Sequence, residues 1–137
     1  KLRSLKKISF DKTKQVIKDD HRLLKIGRLI RRYSVDELPQ FFNVLKGDMS
    51  IVGPRPHMVE HDIHYSNLFF NFLKRHKCNP GLTGWAQVNG LRGATPDPSV
   101  MKRRMEFDLW YLNNWSIWLD LYIIFKTFYA LIRYKGD

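Results

Sequence analysis

Two carboxylates stand side by side at Asp36 and Glu37 in the stretch YSVDELPQ, closely preceded by Arg28, Arg31 and Arg32. Adjacent acids next to clustered guanidinium groups admit two readings. In the first, Ser34 and Glu37 form an S-x-x-E capping box, and each acid gains about 0.3–1 kcal/mol from the positive end of a helix. In the second, a carboxylate acts on an anionic substrate held by the arginines. Pro39 bears on the choice. If Ser34 is the N-cap, Pro39 falls at the fifth helical position, where it lacks the N–H that would bond Val35 and its ring crowds that carbonyl. The turn is then expected to open, and free backbone N–H groups at a helix start attract phosphate. The combination fits phosphoryl transfer better than a plain cap.

The segment GPRP offers a second candidate. Pro54 and Pro56 restrict the backbone on both sides of Arg55. One guanidinium fork is thereby presented to a phosphate or diphosphate at low entropic cost. The same segment also suits a rigid turn with a solvent-facing arginine. His57, His61 and His64 fall at i, i+4 and i+7, a spacing that shares one helix face and can bind zinc. No H-E-x-x-H or C-x-x-C accompanies them, so a zinc site is not the expectation. Glu106 and Asp108, two apart on a helical stretch, do not face each other, although one of them can serve a neighbouring site. Nucleotide loops of the G-x-x-x-x-G-K-[ST] or G-x-G-x-x-G type are absent, as are a D-x-D pair and a Ser/His/Asp constellation.

These groups need elements to carry them. Ile26, Leu29, Ile30 and Tyr33 repeat at helical spacing with the arginines off the apolar stripe. Leu38, Phe41, Phe42 and Leu45 predict a second helix, stopped at Lys46-Gly47. MSIV is a short apolar run. A third helix is expected from Pro56, through Tyr65, Leu68, Phe69 and Phe72, closing at Lys74-Arg75. LTGWAQV, bounded by Gly81 and Gly90, reads as a strand. RGATPDPS is a proline-containing loop, and helix resumes over Met101–Asn113. The stretch WSIWLDLYIIFKTFYALIRY is apolar and aromatic but interrupted by Asp120 and Lys126, and lacks the run of about 20 apolar residues of a membrane span. It suits a core helix. Its Trp and Tyr residues, among them Trp115, Trp118, Tyr122 and Tyr129, equally suit the headgroup zone of a bilayer.

The chain of 137 residues fits one domain, spanning 1–137. It begins with lysine, and a native chain extending further upstream is expected. The lone Cys78 excludes an internal disulfide framework. The net charge is +11, with a surplus of +9 gathered in residues 1–32. Such a basic third calls for an anionic partner. One outcome is therefore a non-catalytic module that binds acidic lipid or nucleic acid.

Three blocks, RLIRRYSVDELPQFFNVLKGDMSIVGPRP, NPGLTGWAQVNG and EFDLWYLNNWSIWLDLYIIFKT, occur in the order found in the bacterial sugar transferase family, and the chain resembles that family over nearly its whole length. These are monotopic polyprenyl-phosphate phosphoglycosyl transferases of exopolysaccharide and glycan assembly. NGLRGAT resembles the branch that transfers glucose-1-phosphate. The resemblance implies an α+β fold, mainly helical with a small β element, as a membrane-associated catalytic domain without its upstream membrane anchor. It implies that Asp36 is the nucleophile on a UDP-sugar and expels UMP, and that undecaprenyl phosphate then takes the phosphosugar from the aspartate. Glu37 is implied as catalytic partner and ligand of Mg²⁺. Lys1, Arg3, Arg31, Pro54, Arg55, Pro56 and Asp108 are implied as substrate-binding positions. The implied location is the cytoplasmic face of the bacterial inner membrane, at its lipid surface, with no nucleic acid partner.

Overall fold

The computed structural model describes residues 37–93 and 97–133. The short strand or extended lead-in expected over KLRSLKKISF and the helix predicted around Ile26–Tyr33 lie outside those residues. The expected architecture is present: among the described residues helices dominate, around one small sheet.

Glu37–Pro39 form a tight turn, with the Phe41 N–H on the Leu38 carbonyl at 3.0 Å and the Phe42 N–H on the Pro39 carbonyl at 3.2 Å. Helix α1, Gln40–Leu45, follows directly. Pro39 therefore stands immediately ahead of α1, with φ −61°, where its fixed φ suits helix entry and its missing N–H leaves no bond unmade. Lys46 ends the helix, and Gly47 turns the chain away at φ 84°.

Strand β1, Ser50–Val52, pairs in parallel with β2, Gly81–Thr83, in the register Ser50 to Gly81 and Val52 to Thr83. Between them lie α2, Val59–Leu68, and a 3-10 helix, Phe72–Lys77. The single helix expected over this stretch is thus two pieces. Phe69 is extended, at φ −127° and ψ 110°, and separates them. Tyr65, Phe69 and Phe72 still meet in one core, because the break folds Phe72 back onto the face that Tyr65 presents.

The strand expected across LTGWAQV is also corrected. Only its first part belongs to β2. Gly84 is extended and Trp85–Val88 form the one-turn helix α3, which buries Ala86 and stacks Trp85 on Trp110 at 5.0 Å. Helix α4, Pro98–Asn113, starts three residues earlier than expected. Asp97 accepts a hydrogen bond from the Ser99 N–H at 2.9 Å, and Pro98 occupies the first turn. This is the cap-then-proline start that helices favour. Helix α5, Ile117–Arg133, opens where the Ser116 hydroxyl accepts the Leu119 N–H.

Helix α4 joins two cores. Met101 and Met105 pack with Tyr65 and Phe72, whereas Tyr111 packs with Val52 and Ile123 of α5. Three glycines bring the loop after β1 against β2 and its exit. A Cβ at Gly81 would lie 2.2 Å from the Gly53 nitrogen and 2.4 Å from the Thr83 oxygen, and one at Gly84 would lie 2.2 Å from the Gly53 oxygen. No side chain fits between these backbones. Gly81→Ala is expected to cost about 3 kcal/mol through forced backbone separation. A lowered urea midpoint would show it, and an unchanged midpoint would refute the contact.

Candidate active site

The turn that opens α1 and the loop that closes β1 meet at one ion pair. Arg55 Nη2 donates to Glu37 Oε1 at 2.9 Å, with both side chains largely buried. From the loop after α3, Arg92 Nη2 comes within 3.7 Å of Glu37 Oε2. Two guanidinium groups from separate loops therefore bracket one carboxylate. Asp36, the residue before it, lies outside the described residues, as do Lys1, Arg3 and Arg31.

Behind Arg55 is a buried charged frame. Arg75 of the 3-10 helix and Asp108 of α4 are each 2% exposed and form an ion pair at 2.8 Å. Arg75 Nη2 also donates to the Arg55 carbonyl at 2.7 Å. Its Nη1 touches His57 Nδ1, and its guanidinium lies 5.2 Å above the Phe72 ring. On the far side of the imidazole, Arg104 Nη1 lies 3.1 Å from His57 Nε2, and Arg104 Nη2 donates to the Gly93 carbonyl at 3.0 Å. Breaking a buried pair of this kind leaves an uncompensated charge, at a cost of about 3–5 kcal/mol.

Electrostatics fix the protonation of the frame. Burial, then Arg75, Arg104 and Arg55, push His57 down to about 2, so the imidazole is neutral. Its approach to Asp62 at 3.6 Å is accordingly not an ion pair at neutral pH. Burial pushes Asp108 up to about 6, while Arg75 and Arg104 pull in the opposite direction. Burial lowers Arg104 to about 10, which leaves it charged. Two interior arginines thus share one interior carboxylate, and the frame keeps a positive surplus.

A cleft of about 290 Å³ opens beside the loop, lined by Pro54, Arg55, Pro56, His57, Asp62, Arg75, His76 and Asn79 among others. The structure thus brings Glu37, Pro54, Arg55 and Pro56 of the expected site together. Asp108 sits behind that site, within the helix packing. His57 precedes α2, so the three histidines do not share one helix face; His61 and His64 both lie against the Tyr65 ring. Arg75, Arg92 and Arg104 were not foreseen. Arg104 and Asp108 do fall on the same helical stripe as Met101, Met105 and Tyr111, and polar residues on an apolar stripe signal a buried pair.

Residues 1–134 match the family described as bacterial sugar transferase. Among similar proteins is the UDP-glucose:undecaprenyl-phosphate glucose-1-phosphate transferase of Escherichia coli (strain K12). It is 52% identical over 128 residues, which are 93% of this chain and 28% of that protein. The enzyme of the same name from Xanthomonas campestris pv. campestris is 51% identical over 121 residues, 88% of this chain and 25% of that protein. The UDP-N-acetylgalactosamine-undecaprenyl-phosphate N-acetylgalactosaminephosphotransferase of Aeromonas hydrophila is 41% identical over 117 residues, covering 85% and 27% respectively. The chain spans about a quarter of the length of these curated relatives.

The frame gives a pH signature. Unfolded, His57 takes up a proton below about 6.5, whereas folded it stays neutral down to about 2. The unfolded state then binds more protons, and the stability that neutral His57 contributes is lost as pH falls through that window. The destabilisation caused by His57→Gln is therefore expected to shrink by about 1.4 kcal/mol per pH unit below 6.5. Denaturation of both proteins between pH 7 and 4.5 measures it, and a gap that does not change with pH would contradict the neutral imidazole.

Proposed function

This chain belongs to the bacterial sugar transferase family, and we propose that it carries the catalytic centre for moving a sugar-1-phosphate from a UDP-sugar to undecaprenyl phosphate. Hexose is the expected sugar, with glucose favoured by the names of its roughly 50% identical relatives. The observation that carries the reading is the bracketing of Glu37 by Arg55 and Arg92, next in sequence to Asp36.

In this reading an Asp36 carboxylate oxygen attacks the phosphorus that bears the sugar. The bond from that phosphorus to the UMP oxygen breaks, UMP leaves, and the phosphosugar remains on Asp36 as an acyl phosphate. An oxygen of undecaprenyl phosphate then attacks the same phosphorus, releasing Asp36 and giving undecaprenyl-diphospho-sugar. The first step brings a carboxylate toward a diphosphate that is already negative. Repulsion at such distances amounts to several kcal/mol at an effective dielectric of about 20. Arg55 and Arg92, which approach the neighbouring Glu37, would offset it, and preorganised charge of this kind acts without reorganisation during the reaction.

Glu37 also suits Mg²⁺. Mg²⁺ binds through one or two carboxylates together with substrate phosphates, and Glu37 would exchange its contact with Arg55 for the ion. When bound, the ion would supply neutralisation of the phosphate oxygens.

The acceptor is a lipid, and α5 offers a face for its membrane. Among the described residues no helix is long and apolar enough to cross a bilayer. Yet Trp118 is 77% and Phe125 70% exposed, and Leu121, Tyr122, Phe128 and Tyr129 are exposed along the same helix. An aromatic and apolar helix face of this kind lies in the interface plane rather than across it. We place it on the cytoplasmic leaflet of the inner membrane, where UDP-sugars are available.

In the full-length protein, UDP-glucose, Mg²⁺ and undecaprenyl phosphate are expected to yield UMP, and Asp36→Asn to reduce the rate by about 10³-fold or more. Intact mass after incubation with the donor alone should rise by one phosphosugar on the wild type and not on the variant. Undiminished UMP release by the variant would remove Asp36 as nucleophile. For the membrane face, replacing Trp118 and Phe125 together by Ser should weaken binding to phosphatidylglycerol vesicles about tenfold or more. Equal flotation of both proteins would retire that face.

A further inference from the structure

We infer that Asp108 is a positioning residue for the proposed transfer, acting through Arg75 to fix the Pro54-Arg55-Pro56 loop and with it the reach of Arg55 to Glu37. The inference rests on the transfer reading and names a role for a residue that does not line the cleft.

Three consecutive contacts carry it. Asp108 Oδ2 lies 2.8 Å from Arg75 Nη2, the same nitrogen donates to the Arg55 carbonyl at 2.7 Å, and Arg55 Nη2 reaches Glu37 Oε1 at 2.9 Å. The hydrogen bond to the Arg55 carbonyl and the charge of Asp108 beside the same nitrogen together hold the guanidinium in place. Its fork is then aimed at the backbone of the residue whose own side chain meets Glu37. Asp108 is 2% exposed, too buried to touch a substrate itself.

A second branch leaves the same frame. His57, two residues after Arg55, lies between Arg75 and Arg104, and Arg104 holds the carbonyl of Gly93, next to Arg92. Among the described residues, both arginines that approach Glu37 are thus set from behind by buried arginines, and Asp108 is the carboxylate beside Arg75. An apolar residue at position 108 would match Met101, Met105 and Tyr111 on the α4 stripe, but it would leave the buried Arg75 without its counter-ion and so without a fixed place from which to hold the Arg55 carbonyl.

The test is a double-mutant cycle in the full-length protein, with native-state hydrogen exchange alongside. Asp108→Asn, and separately Arg75→Lys, should lower kcat/KM for UDP-glucose about 30-fold, but only about twofold further when Arg55 is already alanine. Arg75→Lys keeps the charge and loses the fork, so it serves if Asp108→Asn folds poorly. Equal losses in both backgrounds would overturn the inference, because a merely structural role multiplies through. The second arm needs no turnover. The Gly81 N–H bonds the Pro54 carbonyl and the Gly53 N–H bonds Thr83, each at 2.9 Å. In either variant these two amides should exchange about tenfold faster, while amides around Ile123 keep their protection. Unaltered exchange at Gly53 and Gly81 would overturn the positioning role. A wild type that releases no UMP would instead overturn the transfer reading, with the exchange arm still deciding this one.

Discussion

The guanidinium of Arg75 has left water, and most of what surrounds it follows from that one fact. An interior cation costs several kcal/mol unless its charge and its N–H groups are met. Asp108 supplies the charge, the Arg55 carbonyl takes a hydrogen, and the Phe72 ring lies beneath. Arg104, equally buried, adds a second positive charge, and among the described residues no second carboxylate pairs with it. The imidazole between them stays neutral, because burial and the nearby charges of Arg75, Arg104 and Arg55 all oppose its protonation. The polar frame interrupts the apolar stripe of α4 and divides its packing into two cores, one with α2 and the 3-10 helix and one with α5.

The second constraint is backbone on backbone. GPRP and NPGLTG are far apart in sequence, but Gly53, Gly81 and Gly84 occupy one junction with no room for a Cβ. The two segments are therefore one structural unit. The NPGLTG glycines serve the loop that carries Arg55, and their effect on the site passes through its backbone position. The Thr83 hydroxyl donates to Thr127 at 2.6 Å, and Thr127 in turn donates to the Ile123 carbonyl. That pair extends the unit from β2 into α5.

Where local signals and tertiary packing agreed, the sequence was a sufficient guide. The helix through Phe41 and Leu45, its stop at Gly47 and the helix ending at Asn113 are all present, and the short apolar run MSIV supplies the strand Ser50–Val52. The failures have specific causes. Tyr65, Phe69 and Phe72 keep helical spacing, but they reach the same core across an extended Phe69, so periodicity alone could not locate the break. In LTGWAQV the apolar residues are consistent with a strand or a single helical turn, and the stacking of Trp85 on Trp110 accompanies the turn. At the site, Arg55 was legible because two prolines frame it. Arg92 was not, because its relation to Glu37 arises only when the loop after α3 folds over the turn before α1. Arg75 lay in a basic run, KRHK, that reads as a helix terminus, and nothing local sets it apart from its solvent-facing neighbour Lys74.

If the chain carries the proposed transfer from a soluble donor to a lipid acceptor, its phosphate site must be held at a set height above the bilayer. The connections from α5 make that requirement mechanical. If its aromatic side rests on lipid as proposed, Ile123 and Thr127 on the opposite side fasten it to Tyr111, Val52 and Thr83. β2 then passes the position on through Gly81 to the loop of Arg55. The links in that route are packed apolar side chains, one short hydroxyl–hydroxyl hydrogen bond and backbone hydrogen bonds, and none passes through a long exposed side chain. Such links transmit displacement with little slack, because close-packed interiors yield little to compression. The depth at which Trp118 and Phe125 settle would thus determine where Glu37 meets the acceptor phosphate, and a shift of α5 along the membrane normal would move the site with it.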